Sequence, residues 1–360
     1  MAKFLTPPNE YKGKKNENII IFLAGPIQGA ADWQKDIYKD LSKYENILIV
    51  SPRRETPPKN FDYTEQVEFE TKYLELSDII VFWVPKQADE KIDRVYGQTT
   101  RIEMGEWFCK SNNKKIIVGI DDSFPSKRYL KYKLENQYNS KVLNTYESVL
   151  NNLKKEIDKI QNEPSKIFFT SDTHFSSDRH LELSKRPFKS VPDMDKHIIM
   201  NWNSTIRPND VVYHLGDFGD YSMLNKLNGN IHLIIGNYER EEMKKLKMEY
   251  KEYVKYLKKF GFKSVSENMI FSKNNRDIFK DDVLKLKDFD FNYEFYLVHE
   301  PLNCNKNMFN VFGHIHRLQA VKRYGLNVGI DSHNYYPVSL NDVIFYKKAI
   351  EKFYDDNVFE

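Results

Sequence analysis

Seven side chains in the second half of the sequence are of types that bind transition metals, and each follows a short apolar run. They are Asp172, His174, Asp217, Asn237, His299, His314 and His316. Mixed carboxylate, imidazole and amide ligands suit Mn, Fe or Zn better than a closed structural zinc site, which prefers thiolates. A carboxylate such as Asp217 can bridge two ions about 3.5–4 Å apart, and such a pair clamps phosphoryl oxygens and activates a bound water. The residue types therefore predict hydrolysis of a phosphoester.

The histidines of the chain are unevenly distributed. All 9 lie between His174 and His333, and residues 1–165 contain none. Because histidine is the commonest transition-metal ligand, this skew favours a metal site confined to one domain. His214 is interpreted as a packed residue behind the ligands. Four others are interpreted as surface or packing residues, namely His180, His197, His232 and His333.

Strands are predicted at the apolar runs that precede the ligand candidates. The predicted strands cover residues 167–170, 211–215, 231–235, 295–298 and 310–312, and predicted helices cover 193–204 and 241–260. Residues i and i+2 of an extended chain point to the same side, so Asp172 is expected to converge with His174, and His314 with His316. An open α/β sheet gathers its strand ends along one edge, where ligands bind.

The ordered motifs SDTH, LGDF, GNYE, VHEP and FGHIH resemble those of the calcineurin-like metallophosphoesterases, over about residues 166–347. The resemblance implies an αββα sandwich, two sheets flanked by helices, that holds two divalent metal ions. Manganese is the preferred metal, and Fe, Zn and Ni stay open. The implied ligands of one ion are Asp172, His174 and His316, those of the other are Asn237, His299 and His314, and Asp217 lies between the ions.

The sequence has Tyr238 where that family usually has a histidine that assists the leaving group. Tyrosine titrates near pH 10, so it donates a hydrogen bond but is a poor proton shuttle at pH 7. Either Tyr238 takes over the catalytic role or Glu239, Arg240 or His214 helps. Arg240 is also a candidate for binding the substrate phosphate. Slow turnover is the remaining possibility. Retained activity is expected over a degenerate binding site because every presumed metal ligand is present.

In the first half of the chain, apolar runs alternate with helical periodicity. Predicted strands at residues 19–24, 47–50, 78–84 and 115–120 alternate with predicted helices at 32–44, 64–76 and 100–111. This alternation predicts a Rossmann-like or flavodoxin-like parallel sheet with helices on both faces.

Several residues at the predicted strand ends of the first half are candidates for substrate binding. The Gly25-Pro26 turn suits close approach of the backbone to a ligand, although an ordinary turn fits equally. Arg53 and Arg54 could meet an anionic group at the sheet edge, or lie in a solvated basic loop. Asp78 begins a predicted strand, and a role as a strand-start cap stays open for it.

The segments FLAGPI, SPRRE, SDIIVFW and TTRIEMGEW resemble the nucleoside 2-deoxyribosyltransferase-like family, over about residues 19–142. The resemblance implies that Glu103, in a Glu-x-Gly context, is the nucleophile at the anomeric carbon of a nucleoside. Attack by a carboxylate divides an oxocarbenium-like displacement into two easier steps. Asp78 would then lie near the base or the sugar, and Arg53 and Arg54 would suit a phosphorylated substrate. A ligand-binding module without chemistry is the alternative.

Residues 1–145 are predicted to form the first domain and residues 165–360 the second. Residues 146–164 are predicted to form a linker helix that Pro164 ends, and a last helix packed on the first domain is the alternative. At 360 residues the chain suits two domains.

Composition restricts the partners and the compartment. A net charge of +3 is too small to favour nucleic acid, and the sequence has neither a long apolar run nor a secretory signal. Only Cys109 and Cys304 are present, which favours a reducing cytoplasm. The Lys-, Asn- and Tyr-rich composition indicates an AT-rich bacterial or phage genome, so the compartment would be the bacterial or host cytoplasm. The expected partner is a nucleotide or nucleoside, and a homo-oligomer through the first domain is expected from the resemblance.

Together these patterns predict a bifunctional enzyme of nucleotide metabolism, a hydrolase of phosphoesters that also cleaves or exchanges N-glycosidic bonds. Two other functions stay open. The first domain could sense nucleotides and regulate the phosphoesterase, or the metal centre could belong to a nuclease.

Overall fold

The computed structural model describes residues 1–55, 62–89, 95–110, 114–125, 127–272 and 293–355. The chain divides into two compact units, Met1–Glu163 and Pro164–Glu360. None of the helices in these ranges is long and apolar enough to cross a membrane.

The first unit contains a six-stranded sheet in which every pair of neighbours is parallel. Its strands are β1 (Lys3–Leu5), β2 (Ile19–Ala24), β3 (Ile47–Val50), β4 (Ile79–Val84), β5 (Lys115–Ile120) and β6 (Val142–Leu143). Its helices are α1 (Trp33–Leu41), α2 (Tyr63–Leu76), α3 (Gln98–Lys110), α4 (Lys127–Gln137) and α5 (Tyr146–Asn162). The order is β1-β3-β2-β4-β5-β6, so the winding direction changes between β2 and β4. Ligands of open α/β sheets bind at the carboxyl ends of strands at such a switch point.

Both faces of this sheet are covered by helices, as predicted. Tyr73 of α2 and Met104 of α3 share one apolar cluster with alternate residues of the strands. Trp33 of α1 and Leu153 of α5 belong to the cluster on the other face. Period-two alternation explains the two clusters, because successive side chains of a buried strand enter opposite layers.

The helix predicted as a linker belongs to the first unit. Thr145 caps α5 with a reciprocal hydrogen-bond pair to Ser148. Val149 and Ile157, on the apolar face of α5, are fully buried in the same cluster as β2 and β4. The alternative of a last helix packed on the first domain therefore fits, because the helix buries an apolar stripe against the sheet, and the boundary between the units falls after Glu163.

The second unit contains two five-stranded sheets. Its strands are β7 (Ile167–Thr170), β8 (Val211–His214), β9 (Asn230–Ile234), β10 (Ser264–Ser266), β11 (Asn268–Phe271), β12 (Phe295–Val298), β13 (Phe309–Phe312), β14 (Val321–Lys322), β15 (Gly325–Asn327) and β16 (Val338–Ser339). Its helices are α6 (Arg179–Leu183), α7 (Val191–Thr205), α8 (Asn237–Lys245), α9 (Tyr250–Phe260) and α10 (Leu340–Phe353). The sheet orders are β10-β9-β8-β7-β16 and β11-β12-β13-β15-β14.

The two sheets of this unit share one apolar core. Phe169 of β7 and Tyr213 of β8 lie in the same cluster as Phe295 of β12, whereas Trp202 of α7 and Tyr253 of α9 pack on the opposite face of the first sheet. The single helix predicted over residues 241–260 is two helices, α8 and α9. Asn237 already begins α8, because Gly236 and a buried Glu239 cap its amino end.

Candidate functional site: a metal centre in the second unit

The seven predicted ligands lie in one place, at the carboxyl ends of five strands. Two of them follow β7, one follows β8, one begins α8 after β9, one follows β12 and two follow β13. The order of these positions is Asp172, His174, Asp217, Asn237, His299, His314 and His316. Parallel pairing of β7, β8 and β9 in one sheet, and of β12 and β13 in the other, brings the strand ends to one edge of each sheet.

Five of the ligand candidates have a left-handed backbone conformation, which residues other than glycine rarely adopt. The φ angles are 59° at Asp172, 46° at His174, 58° at Asp217, 72° at His314 and 48° at His316. The expectation that extended backbone aims the i and i+2 side chains was therefore wrong. Tight left-handed turns do this instead, and such strain persists only where the surroundings hold it.

The carboxylate of Asp217 lies between two groups of side chains. Its Oδ2 atom is 3.7 Å from Nε2 of His174 and 3.4 Å from Nε2 of His299. The Oδ1 atom of Asp172 is 4.0 Å from the same His174 nitrogen. These separations place Asp217 where a bridging carboxylate would stand.

The carboxamide of Asn237 completes the second group. Its Oδ1 atom is 3.0 Å from Nε2 of His299 and 2.9 Å from Nδ1 of His314. The backbone N–H of His314 in turn donates to both oxygens of Asp172. Donor atoms within 4.8 Å of one another form three sets: Asp172, His174 and Asp217; Asp217, His299 and His314; and His174, His180 and His316.

The donor set fits divalent metal ions. Nε2 of His174 is buried and has no hydrogen-bond partner among the described residues, which is costly unless an ion binds this nitrogen. Burial first, and then His180, hold the pKa of His174 well below its usual range, so its imidazole is neutral, as a ligand must be. Burial raises the pKa of Asp172, a cost that a cation would offset.

Glycines make room for this arrangement. A Cβ on Gly313 would meet the side chains of Ser171 and Asp172. A Cβ on Gly216, whose φ is +90°, would lie 2.7 Å from Nδ1 of His299 and 2.6 Å from the backbone of Gly236. Contacts this short do not occur, so the motif glycines are required by close approach of the loops.

Glu239 holds the loop that carries Asp217. Its fully buried carboxylate accepts the backbone N–H groups of Gly236 (2.8 Å), Asp217 (2.8 Å) and Phe218 (2.9 Å). Burial acts to raise the pKa of Asp217, but the hydrogen bond with His299 and the charge of that imidazole lower it overall. Asp217 is therefore presented as a carboxylate.

His316 is oriented by a buried ion pair. Its Nδ1 atom is 2.7 Å from Oδ2 of Asp331, and Arg186 binds both oxygens of Asp331 at 2.9 Å. Arg186 also donates to the backbone oxygens of Asp172 and Thr173. This carboxylate–imidazole pair leaves Nε2 of His316 for a metal and ties three loops together.

His180, predicted as a surface or packing residue, lies beside the ligands. Its ring stacks on His174 with centroids 3.4 Å apart, and its Nε2 atom is 3.0 Å from the hydroxyl of Tyr238. Burial lowers the pKa of His180 to about 4. No local sequence pattern indicates this position, because His180 lies on α6, outside every motif.

The other histidines pack as predicted. His214 is buried with Nε2 2.9 Å from Oγ1 of Thr173, and burial lowers its pKa to about 3. The rings of His197 and Phe188 are 5.1 Å apart, and hydrogen bonds hold His232 and His333.

A cleft of about 400 Å³ opens beside His299. Its lining residues are Arg240, Glu267, Asn268, Val298, His299, Glu300 and Asn303. Arg240, predicted to bind the substrate phosphate, forms an ion pair of 2.7 Å with Glu300.

A second candidate site lies in the first unit around Glu103. This half-buried side chain of α3 faces Glu70 of α2, and burial, followed by the neighbouring carboxylate, raises the pKa of Glu103 to about 8. Glu70 accepts a 2.7 Å hydrogen bond from Gln66, whose carbonyl oxygen accepts one of 2.9 Å from Arg54. The chain of contacts links Glu103 to Arg54.

Gly25 and Arg53 have partners within the protein. A Cβ on Gly25 would meet the carbonyl oxygen of Trp83, so the strand ends need a glycine there. The guanidinium of Arg53 donates to the carbonyl oxygens of three residues in the turn after β2, and it lies 3.3 Å from Asp32. Pro26 accepts the indole N–H of Trp33 in the same turn. These contacts shape the turn, and whether it binds a substrate stays a prediction.

Asp78 does not belong to this site. It precedes β4, whereas Gly25 and Arg53 follow the carboxyl ends of their strands. A strand of six residues spans about 20 Å, which separates the two edges of the sheet. Asp78 instead pairs with buried Lys15 at 2.6 Å and accepts the backbone N–H of Ile20, so the alternative role as a strand-start cap fits it.

Comparison with known proteins bears on the first unit, which contains the site around Glu103. Residues 18–124 match a family described as nucleoside 2-deoxyribosyltransferase like. The matched range contains β2 to β5 and Glu103, and it indicates a nucleoside-related activity for the first unit.

A relative in Methanocaldococcus jannaschii, uncharacterized protein MJ1445, is 28% identical over 198 residues. The aligned region covers 52% of this chain and 92% of the relative. Its name assigns no activity, so this likeness carries no function to either unit.

Proposed function

We propose that the second unit is a phosphoesterase with two divalent metal ions, Mn²⁺ being the first choice and Fe, Zn or Ni the alternatives. The observation that carries the proposal is the convergence of seven ligand side chains from five strand ends around the carboxylate of Asp217. The two sheets with a shared core are compatible with the αββα sandwich of the calcineurin-like metallophosphoesterases.

In this proposal one ion is held by Asp172, His174 and His316 and the other by Asn237, His299 and His314, with Asp217 between them. When bound, the ions would offset the negative charge of the phosphoryl oxygens and activate a water molecule as the nucleophile. The protein itself supplies the orientation: Glu239 fixes the Asp217 loop and Asp331 fixes the ring of His316.

Tyr238 supports the leaving group as a hydrogen-bond donor rather than as a proton shuttle. Its ring meets the edge of His174 with centroids 4.9 Å apart, and its hydroxyl contacts His180. Burial raises the pKa of Tyr238 above its usual value. The enzyme should therefore prefer esters whose leaving group needs no proton.

We expect Tyr238→His to extend the substrate range. Histidine titrates near 6.5 and can protonate a poor leaving group, so nucleoside monophosphate hydrolysis should rise by about tenfold or more. Hydrolysis of p-nitrophenyl esters should change by less than about threefold, because p-nitrophenolate leaves unprotonated. Steady-state kinetics on both substrates, with Tyr238→Phe as the matched control, measure this. Equal changes on both substrates would contradict the assigned role.

The basic test of the proposal is metal analysis of the purified full chain, followed by a substrate screen. The screen compares bis(p-nitrophenyl) phosphate, cyclic nucleotides and mononucleotides with each metal. Absence of bound divalent ions and of any hydrolysis would refute the proposal. A nuclease on the same centre would instead bind polynucleotides. The logarithm of its binding constant would fall linearly with the logarithm of the salt concentration.

We further propose that the first unit cleaves or transfers an N-glycosidic bond, with Glu103 as the nucleophile. The family match over residues 18–124, a range that includes Glu103, and the contact of Glu103 with Glu70 support this. Because the two units occur in one chain, we propose that their two activities act on related nucleotides. Chromatography of bases released from deoxynucleosides and their monophosphates tests it, and light scattering tests the oligomer proposed for this unit.

Regulation by a nucleotide-sensing first unit is the second candidate, because the raised pKa keeps Glu103 protonated at neutral pH without substrate. A sensor would bind nucleotides and change phosphoester hydrolysis without releasing base.

The pKa of Glu103 also predicts a pH dependence of stability. In the unfolded chain this carboxyl titrates near 4.5, and in the folded protein near 8. Its contribution to the free energy of unfolding is therefore fully present below pH 4.5 and is lost as the pH rises through 8. We expect the Tm of the wild type to fall relative to Glu103→Gln between pH 5 and pH 9, as calorimetry of both proteins would show. A constant difference in Tm would contradict the raised pKa.

A further inference from the structure

We propose that the cleft beside His299 binds the ester group of the substrate and that it selects an uncharged group bearing several hydroxyls, as in a sugar. The inference rests on the proposed phosphoesterase function. The cleft adjoins the ligand set directly, because His299 lines it while its Nε2 atom lies 3.4 Å from the central carboxylate of Asp217. A volume of about 400 Å³ is in the range of small-molecule sites.

Arg240 carries the one guanidinium among the described residues of the cleft, and this group is paired with a carboxylate. Arg240 lies 2.7 Å from Oε2 of Glu300, and it donates to the carbonyl oxygen of Ile235. The amide of Asn303 donates to the same oxygen of Glu300 at 2.9 Å. Both members of the ion pair are partly buried, with 32% and 25% of their side chains exposed. The charge of Glu300 therefore offsets the positive charge that would attract a second phosphate to Arg240.

The remaining charge disfavours anions. Glu267 and Glu300 contribute two negative charges against one positive charge from Arg240, so these three side chains are net negative. Carboxylates only accept hydrogen bonds, and a group that donates several of them meets this demand. Hydroxyl groups donate without carrying charge.

The cleft also lacks the surface that would bind a nucleobase by stacking. Among the described residues that line it, the ring of His299 is the only aromatic one, and Val298 is the only apolar side chain. Two amides, from Asn268 and Asn303, complete the lining. The composition therefore suits a sugar, whether a free sugar phosphate or the ribose of a nucleotide supplies it.

The test uses the full chain loaded with Mn²⁺ and four diesters that share the p-nitrophenyl leaving group. The second ester group is phenyl, glucose through O6, uridine through O5′, or uridine 3′-phosphate through O5′. We expect kcat/KM to be higher for glucose and uridine than for phenyl, and lowest for the substrate with a second phosphate. Uridine above glucose identifies a nucleotide as the source of the sugar, and the reverse identifies a sugar phosphate.

Glu300→Gln provides the specific readout. Loss of a hydrogen bond to a charged group should lower the ratio of kcat/KM for uridine to that for phenyl by about tenfold. Release of Arg240 should raise the ratio for uridine 3′-phosphate to phenyl by about tenfold. Glu294→Gln, an exposed carboxyl close in sequence but outside the cleft, is the matched control and should leave both ratios unchanged.

The outcomes separate the two levels of inference. Equal kcat/KM for all four diesters, or equal changes of all four in Glu300→Gln, would overturn the sugar-binding cleft and leave the phosphoesterase intact. Absence of Mn²⁺ binding and of p-nitrophenolate release from every diester would overturn the proposed function, and the cleft with it. Metal stoichiometry and the Tm of each variant identify a misfolded protein. If Glu300→Gln is misfolded, Glu267→Gln replaces it, because Glu267 is the other carboxylate of the cleft.

Discussion

Asp217→Asn should reduce the bound metal from about two ions to about one and lower phosphoester hydrolysis by more than about 100-fold, beyond the loss typical of an outer-shell partner. Among the described residues, Asp217 is the only carboxylate whose oxygen lies within 4.0 Å of ring nitrogens from both His174 and His299. An amide keeps the shape but loses the charge and one acceptor, so it cannot bridge two cations equally. Metal analysis and kinetics on bis(p-nitrophenyl) phosphate measure the two effects.

Asp220→Asn is the matched control for this change. Asp220 follows three residues later and caps the next turn through the backbone N–H of Ser222, away from the three donor sets. Its metal content and hydrolysis should equal those of the wild type. Two ions and wild-type rates in Asp217→Asn would remove the bridging carboxylate from the proposal.

Glu103→Gln should lower base release by at least about 10³-fold, since loss of a nucleophile costs that much or more. The amide preserves the contact with Glu70 and removes the carboxylate that attacks the sugar. Hydrolysis of p-nitrophenyl esters should not change, because Glu103 and the metal ligands belong to different units. Chromatography of released base and the colorimetric assay follow both activities in one sample.

Glu106→Gln serves as the control, because Glu106 lies on the same helix and forms an exposed ion pair with Lys110. Base release by Glu103→Gln at the wild-type rate would exclude Glu103 as the nucleophile. If the wild type releases no base from any nucleoside or nucleotide but binds one of them, the first unit is a sensor.

The ligand set could be predicted from the sequence because each member follows an apolar strand in a short motif. The residues that support these ligands could not. Arg186 and Asp331 are 145 positions apart and meet only through tertiary packing, and His180 arrives on a helix of five residues. Among these supporting residues, only Glu239 could be recognised from its sequence position. It lies three residues after Gly236, where a glutamate caps the amino end of a helix.

The first unit shows the same division. Alternating apolar runs were sufficient to predict the parallel sheet, but not the role of Asp78, because an acidic residue before a strand looks the same at either edge of a sheet. Its partner Lys15 is a fully buried lysine, which composition alone does not reveal. The helix α5 was ambiguous because an apolar stripe specifies burial but not the surface that covers it.

The left-handed turns at Asp172, His174, Asp217, His314 and His316 imply local frustration in the folding of the second unit. Each such residue carries a backbone cost of about 1 kcal/mol or more that its own neighbours in sequence do not relieve. Glycine would relax every one of these turns and remove a ligand in doing so. Selection for conformational stability and selection for a cation site therefore oppose each other at these five positions, and the metal ions themselves would resolve the conflict by favouring the native loops through mass action.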